Sequence, residues 1–157
     1  FPICGVEVRQ APASSIEKCA VAEFLKTNFF PDDPVLKAAG FDPDKPDPAL
    51  VDFFVQMMND RITYYAQVQE SKQIMGILIG HVTTPTTIHE LKILADRLRN
   101  DTARRYIHYL AQLEERANVY TMMNVDKLLK IEVLCTARPY RRRGVCKQLL
   151  KVTGDYY

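Results

Sequence analysis

Three stretches of the chain carry residue types that can do chemistry. The first is PYRRRGVCKQLL, in which Arg141, Arg142 and Arg143 run into Gly144, followed by Val145, Cys146, Lys147 and a Leu-Leu pair. Guanidinium groups offer paired donors to phosphate oxygens, and a glycine beside them lets backbone amides close on an anion. The second is PDDP, where Asp32 and Asp33 sit between prolines. A carboxylate can act as a general base, but Asp also caps turns and following helices. The third is KIEVLCTA, an apolar run that carries Glu132 and Cys135. A buried acid on a central strand can acquire a shifted pKa, although Glu132 alternates faces with Val133 and could equally point outward. No histidine stands near Cys135 in sequence, so it reads as a core cysteine rather than a nucleophile.

The elements that must position these groups follow from periodicity. Residues 4–11 alternate small or apolar with polar residues and predict a first strand. Ser14 or Ser15 then caps a helix with Ile16, Ala20, Phe24 and Leu25 at helical spacing. PDDP ends it, because each proline removes a donor and restricts the residue before it. A second Asp/Pro run, FDPDKPDP, predicts a loop, and Asp47-Pro48 opens a helix through residue 60. Residues 61–69 and 73–84 predict two strands joined by the turn ESK. Residues 87–120 are helical in pattern, with a break and a fresh cap at Asn100–Thr102. Residues 126–137 predict a strand, and residues 144–157 a helix. The order is β-α-α-β-β-α-α-β-α, an α/β pattern without repeats.

Composition narrows the function. The chain has 157 residues, enough for one domain with a real core. Its net charge is only +2, so the basic character is local, whereas a protein that coats nucleic acid is usually basic throughout. Nucleic-acid platforms also interleave basic residues with aromatics, and only Tyr140 stands near the arginines. Cys4, Cys19, Cys135 and Cys146 show no C-x-x-C, and His81, His89 and His108 no ligand spacing, so neither a disulfide frame nor a metal site is expected. No apolar stretch is long enough to span a bilayer. A cytoplasmic protein with free thiols and no membrane contact is the expectation.

The basic stretch sits in a strand–loop–helix unit. A helix that starts at a glycine presents unpaired N–H groups and the positive end of its dipole, a geometry suited to a phosphate or pyrophosphate. The sequence has neither G-x-x-x-x-G-K-[ST] nor a G-x-G-x-x-G after the first strand. What it has is Arg141-x-x-Gly144-x-Cys146, following Val133–Thr136 on a strand. This resembles motif A of the GNAT acetyltransferases, [QR]-x-x-G-x-[GA], with Cys146 standing where glycine or alanine is usual. A second stretch, FLKTNFFPDDPVLKAAG, resembles the FF-x-D-E-P-L segment of the insect-type arylalkylamine (dopamine-like) N-acetyltransferases. The long helical insertion over residues 87–120 is similar to that group as well.

The resemblance implies a single GNAT domain over residues 1–157, with a central mixed sheet flanked by helices. It implies acetyl-CoA as cosubstrate and no metal. Leu134, Cys135 and Thr136 would pair with the pantetheine arm like an added strand. The pyrophosphate would lie on the amides from Arg141 to Lys147, through Arg142, Arg143, Gly144, Val145 and Cys146. By position Asp33 becomes the catalytic base, with Asp in place of the family's Glu, and Glu132 is the second candidate. Phe30, Asp32 and Tyr64 are candidates for the amine pocket. The implied reaction is acetyl transfer to the primary amine of an arylalkylamine or other biogenic amine. The alternatives are a polyamine, agmatine or protein-lysine acetyltransferase, and a CoA- or nucleic-acid-binding module without chemistry. Relatives of this fold continue past the helix after the pyrophosphate loop, so the remainder of the fold or a second chain is expected to complete the sheet.

Overall fold

The structure, a computed structural model, describes residues 5–157, so Cys4 lies outside the described residues. Strand β1 (Val6–Gln10) leads into helix α1 (Ser15–Phe24), whose cap is Ser14, with its side chain accepting from the Glu17 N–H. PDDP does end this helix, but only after a π-helical turn, Leu25–Phe29, widens its last residues. Between the two Asp/Pro runs stands a short helix α2 (Pro34–Ala38), which the proline punctuation had hidden. Helix α3 (Pro48–Gln56) opens on Asp47 and Pro48 as the sequence predicts, then tightens into a 3₁₀ turn at Met57–Asp60.

Strands β2 (Ile62–Val68) and β3 (Ile74–Thr83) form the expected hairpin. The helical region becomes α4 (Thr87–Arg97), α5 (Asp101–Ala117) and α6 (Val119–Met123), and Asn100 is the fresh cap, accepting from the Ala103 N–H. Strand β4 (Leu128–Thr136) and helix α7 (Val145–Tyr156) close the order. The four described strands lie in the order β1-β2-β3-β4, and each of their pairings is antiparallel.

The sheet has two different faces. Tyr65, Ile77, Ile79, Val133 and Cys135 point toward the larger core, which Val21, Leu25, Phe30, Leu36, Phe54 and Ile107 of the helical layer fill. Ile62, Tyr64, Ala66, Met75 and Leu78 point the other way, against Val145 and Leu149 of α7. Alternation along β2 explains why Tyr64 and Tyr65 part company. Helix α7 sits close to β3 at Gly76, where an added Cβ would lie 2.8 Å from Val145 Cγ1 and 3.1 Å from the Cys135 carbonyl oxygen.

One irregularity positions the site. Ile79 pairs with Val133 and Gly80 with Ile131, which leaves Glu132 as an extra residue on β4. Such a bulge turns its side chain out of strict alternation. Glu132 therefore joins Lys130 and Val133 on the helical side, and its side chain is 6% exposed.

Candidate active site

The turn from β4 into α7 has the backbone of an anion cradle. Arg142 and Gly144 both adopt left-handed conformations, at φ 65° and 81°. The N–H groups of Gly144, Val145, Cys146 and Lys147 find no acceptor among the described residues, and the first such bond belongs to Gln148. An added Cβ at Gly144 would meet nothing within 4 Å, so glycine is there for its φ rather than for space. Thr136 Oγ1 lies 3.1 Å from Cys146 Sγ, joining the end of β4 to the first turn of α7. A small residue suits that place, and Cys146 fills it. These amides and the dipole of a twelve-residue helix fit a pyrophosphate.

The arginines divide their work. Arg141 turns inward: its guanidinium donates to the Thr136 and Asn28 carbonyl oxygens at 3.0 and 3.1 Å and pairs with Asp32 at 2.8 Å. The side chain of Arg141 is thus committed within the protein, which leaves exposed Arg142, Arg143 and Lys147 to face an anion. Arg138 grips the same Asp32 carboxylate through two donors, at 2.9 and 3.1 Å. Between them the two guanidiniums hold the Asp32 carboxyl at about 2. Asp32 is therefore engaged with arginines, and the sequence-based place for it in an amine pocket is not what its contacts show.

Two further carboxylates are candidates for proton transfer, Asp33 beside Asp32 and Glu132 at the middle of β4. Asp33 Oδ2 accepts from the Leu36 N–H at 2.8 Å, so this residue caps α2. Glu132 Oε2 lies 3.0 Å from His81 Nε2 and 3.0 Å from Lys130 Nζ, and Lys130 also pairs with Glu114. Burial pushes the Glu132 carboxyl up, but the His81 hydrogen bond and the Lys130 charge outweigh it and hold the group below its ordinary value. Burial pushes Lys130 down, and the two glutamates outweigh that and raise it. Among the described residues Glu114 Oε2 is buried without a hydrogen-bond partner. A cavity of about 500 Å³ opens between α5, α6 and β4 over this cluster, walled by Leu110, Leu113, Val119, Tyr120 and Leu128. Tyr106 of α5 lies in the field of both Asp33 and Glu132, and burial together with those charges raises its phenol pKa.

Other expectations separate. Tyr64 is buried on the α7 face, stacked 6.2 Å from Tyr156, with the sheet between it and the carboxylates. Phe30 is 1% exposed and packs against Phe29, Phe41 and Phe54, so it fills the core instead of lining an open pocket. Cys135 donates to the Asn28 carbonyl oxygen at 3.5 Å, and burial pushes its thiol up to about 11, which keeps it protonated at neutral pH. Among the described residues no cluster of His, Cys, Asp and Glu is arranged to hold a metal, and no helix is long and apolar enough to cross a membrane. Sequence reading missed His81, Lys130, Glu114 and Tyr106. The sequence signal was weak: His81 and Lys130 fall on strands that are consecutive in the chain.

The four-stranded antiparallel sheet under a helical layer, with its amide cradle at the β4–α7 turn, shares the GNAT fold with solved structures of N-acetyltransferases. Solved structures share it over nearly the whole chain. Arylalkylamine N-acetyltransferase 2 from Aedes aegypti superposes with a TM-score of 0.84 at 20% identity, covering 96% of this chain and 69% of its own. Mosquito arylalkylamine N-acetyltransferase like 5b gives 0.87 at 18%, covering 96% and 70%. The Drosophila melanogaster polyamine N-acetyltransferase, which catalyses formation of N-acetylagmatine, gives 0.83 at 18%, covering 96% and 69%. No protein-family model matches the sequence, and no curated protein sequence matches it.

Proposed function

We propose that this protein binds acetyl-CoA at the β4–α7 turn and transfers its acetyl group to a primary amine, with an arylalkylamine or related biogenic amine as substrate. The observation that carries this reading is one strand, β4, with the amide cradle at its end and a buried carboxylate on its bulge. The amides of Gly144–Lys147 would hold the pyrophosphate, with Arg142, Arg143 and Lys147 adding charge. Leu134, Cys135 and Thr136 would pair with the pantetheine arm, and a backbone N–H near Cys135 or Thr136 would stabilise the oxyanion of the attacked thioester. The amine loses a proton, its nitrogen attacks the thioester carbonyl, the C–S bond breaks, and the N-acetylamine and CoA thiol leave.

Two carboxylates flank Tyr106 as proton acceptors, and the geometry favours Glu132. Its Oε1 receives no hydrogen bond from a described residue, and the group is almost wholly buried beside the cavity. Asp33, the base that the resemblance implies, spends Oδ2 on the α2 N-terminus, while Oδ1 receives no hydrogen bond from a described residue, which makes it the second reading. The apolar walls of the 500 Å³ cavity suit an aryl or alkyl body better than a chain of ammonium groups. A polyamine or agmatine substrate is the alternative, supported by the likeness to the Drosophila enzyme. We further propose that the outer edge of β4 receives a further strand, from the remainder of the fold or from a second chain, and that the protein works in the cytoplasm.

The test is calorimetry with CoA and with duplex DNA, followed by thiol release from acetyl-CoA across tyramine, dopamine, serotonin, agmatine and spermidine. CoA binding without DNA binding, and fastest turnover of an aryl amine, is the expected result. Faster turnover of agmatine or spermidine overturns the substrate class. Binding of DNA alone overturns the function.

A further inference from the structure

Glu132 is held by one oxygen only. His81 Nε2 and Lys130 Nζ both reach Oε2 at 3.0 Å, and no described hydrogen bond reaches Oε1. His81 stands directly opposite Lys130 on β3, and it meets Glu132 because the bulge brings that residue to the same face. Two donors on one oxygen fix the plane of a carboxylate and leave the other oxygen's lone pairs for an incoming proton. His81 also has a second outlook. Its ring lines a separate cavity of about 300 Å³, bounded by Phe53, Met57, Asp60, Glu90 and Leu94. Its side chain is 14% exposed, against 6% for Glu132. Protons can thus reach His81 from a side that the candidate amine cavity does not share.

The charged groups around His81 come from every neighbouring element. Glu132 and Lys130 face it from β4, Asp60 from the 3₁₀ turn and Glu90 from α4, while Glu114 of α5 acts through Lys130. Asp60 is partly spent, since its Oδ2 accepts from the Val82 N–H at 2.9 Å.

We propose that His81 is the positioning residue of Glu132, and that its protonation sets the acid limb of acetyl transfer. A neutral His81 donates from Nε2 and orients the carboxylate. When His81 gains a second proton, Glu132 faces two cations on one oxygen. Its basicity falls, and so does the negative charge that attracts an ammonium. Activity is therefore lost toward acid pH in a step that depends on His81.

This inference rests on the reading of Glu132 as base, and the experiment separates the two. The kcat and both KM values of wild type, His81→Gln, His81→Ala and Glu132→Gln are measured from acid to alkaline pH, with acetyl-CoA and the amine each varied in turn. In His81→Ala the alkaline plateau of kcat falls about 10- to 100-fold, with KM for acetyl-CoA unchanged. His81→Gln, which keeps an N–H donor and does not titrate, recovers most of that loss. Its acid limb moves by about one pH unit or more toward acid. A His81→Gln limb that superimposes on that of wild type overturns the role of His81 while Glu132 stands. Full activity in Glu132→Gln, or no acetyl transfer by wild type at any pH, overturns the base reading and the role of His81 together.

Discussion

At the residue scale, the two aspartates of PDDP show how one motif serves two structural ends. Asp33 caps α2 and Asp32 binds two arginines, so a loss of function on mutating either must be separated from a loss of fold. Asp33→Asn makes that separation, because Asn is as good an N-cap as Asp, whereas Ala costs about 1 kcal/mol there. Asp33→Ala is therefore expected to lower the melting temperature and Asp33→Asn to leave it nearly unchanged. If Glu132 is the base, Asp33→Asn keeps its turnover within a few fold, while Glu132→Gln loses about 10²–10⁴-fold. A collapse of turnover in Asp33→Asn with an intact melting curve would transfer the role to Asp33. Asp32 carries a pH prediction. Its folded pKa, about 2, lies below the ordinary value of about 3.9, so its ion pairs stabilise the fold above that ordinary value and are lost as pH falls toward 2. Between pH 4 and pH 2 wild type should lose stability more steeply than Asp32→Asn, as followed by circular dichroism. The types of these residues were readable in the sequence, and so was the cradle around Gly144. Their partners were not, because Arg138 and Asp32 stand 106 positions apart and nothing local joins them.

At the element scale, β4 does most of the positioning, and its bulge is the feature that pattern reading could not see. Strict alternation sets Glu132 opposite to Val133, yet one extra residue against Ile79–Gly80 puts both on the helical side. Bulges follow from how two strands meet, which no window along one strand contains. Helix α2 was hidden for a related reason: a five-residue helix that itself begins on a proline carries too little periodicity to register. Long elements with clear caps, such as α5 behind Asn100 and α3 behind Asp47, were legible because their signals are local. Gly76 tests how β3 and α7 are coupled. A methyl there would press on Val145 Cγ1 at 2.8 Å and on the Cys135 carbonyl oxygen at 3.1 Å, so α7 must move away from the sheet. Gly76→Ala is expected to cost about 1–3 kcal/mol in denaturant unfolding. Since α7 carries the cradle at its first turn, CoA affinity should fall as well. Unchanged unfolding and unchanged CoA binding would mean that α7 does not depend on this contact.

At the scale of the whole molecule, the sheet is asymmetric in how its edges are treated. Among the described residues β4 is paired on its β3 side alone, and next to its other edge Leu129 and Ile131 are 40% and 38% exposed. Leu113 of α5, at 44%, continues the same apolar surface. A nine-residue strand of this kind offers a row of donors and acceptors to any chain that can pair with it. The 157-residue chain by itself is therefore expected to self-associate through β4, with a weight-average mass in sedimentation that rises with concentration. Ile131→Lys places a charge beside that edge without disturbing the core, since Val133 and Cys135 face the helices instead. The variant should sediment as a monomer, with an unchanged circular dichroism spectrum. A wild-type chain that stays monomeric across the same concentrations would mean that the edge is shielded by its own twist and side chains, and the proposed further strand would lose its physical motive.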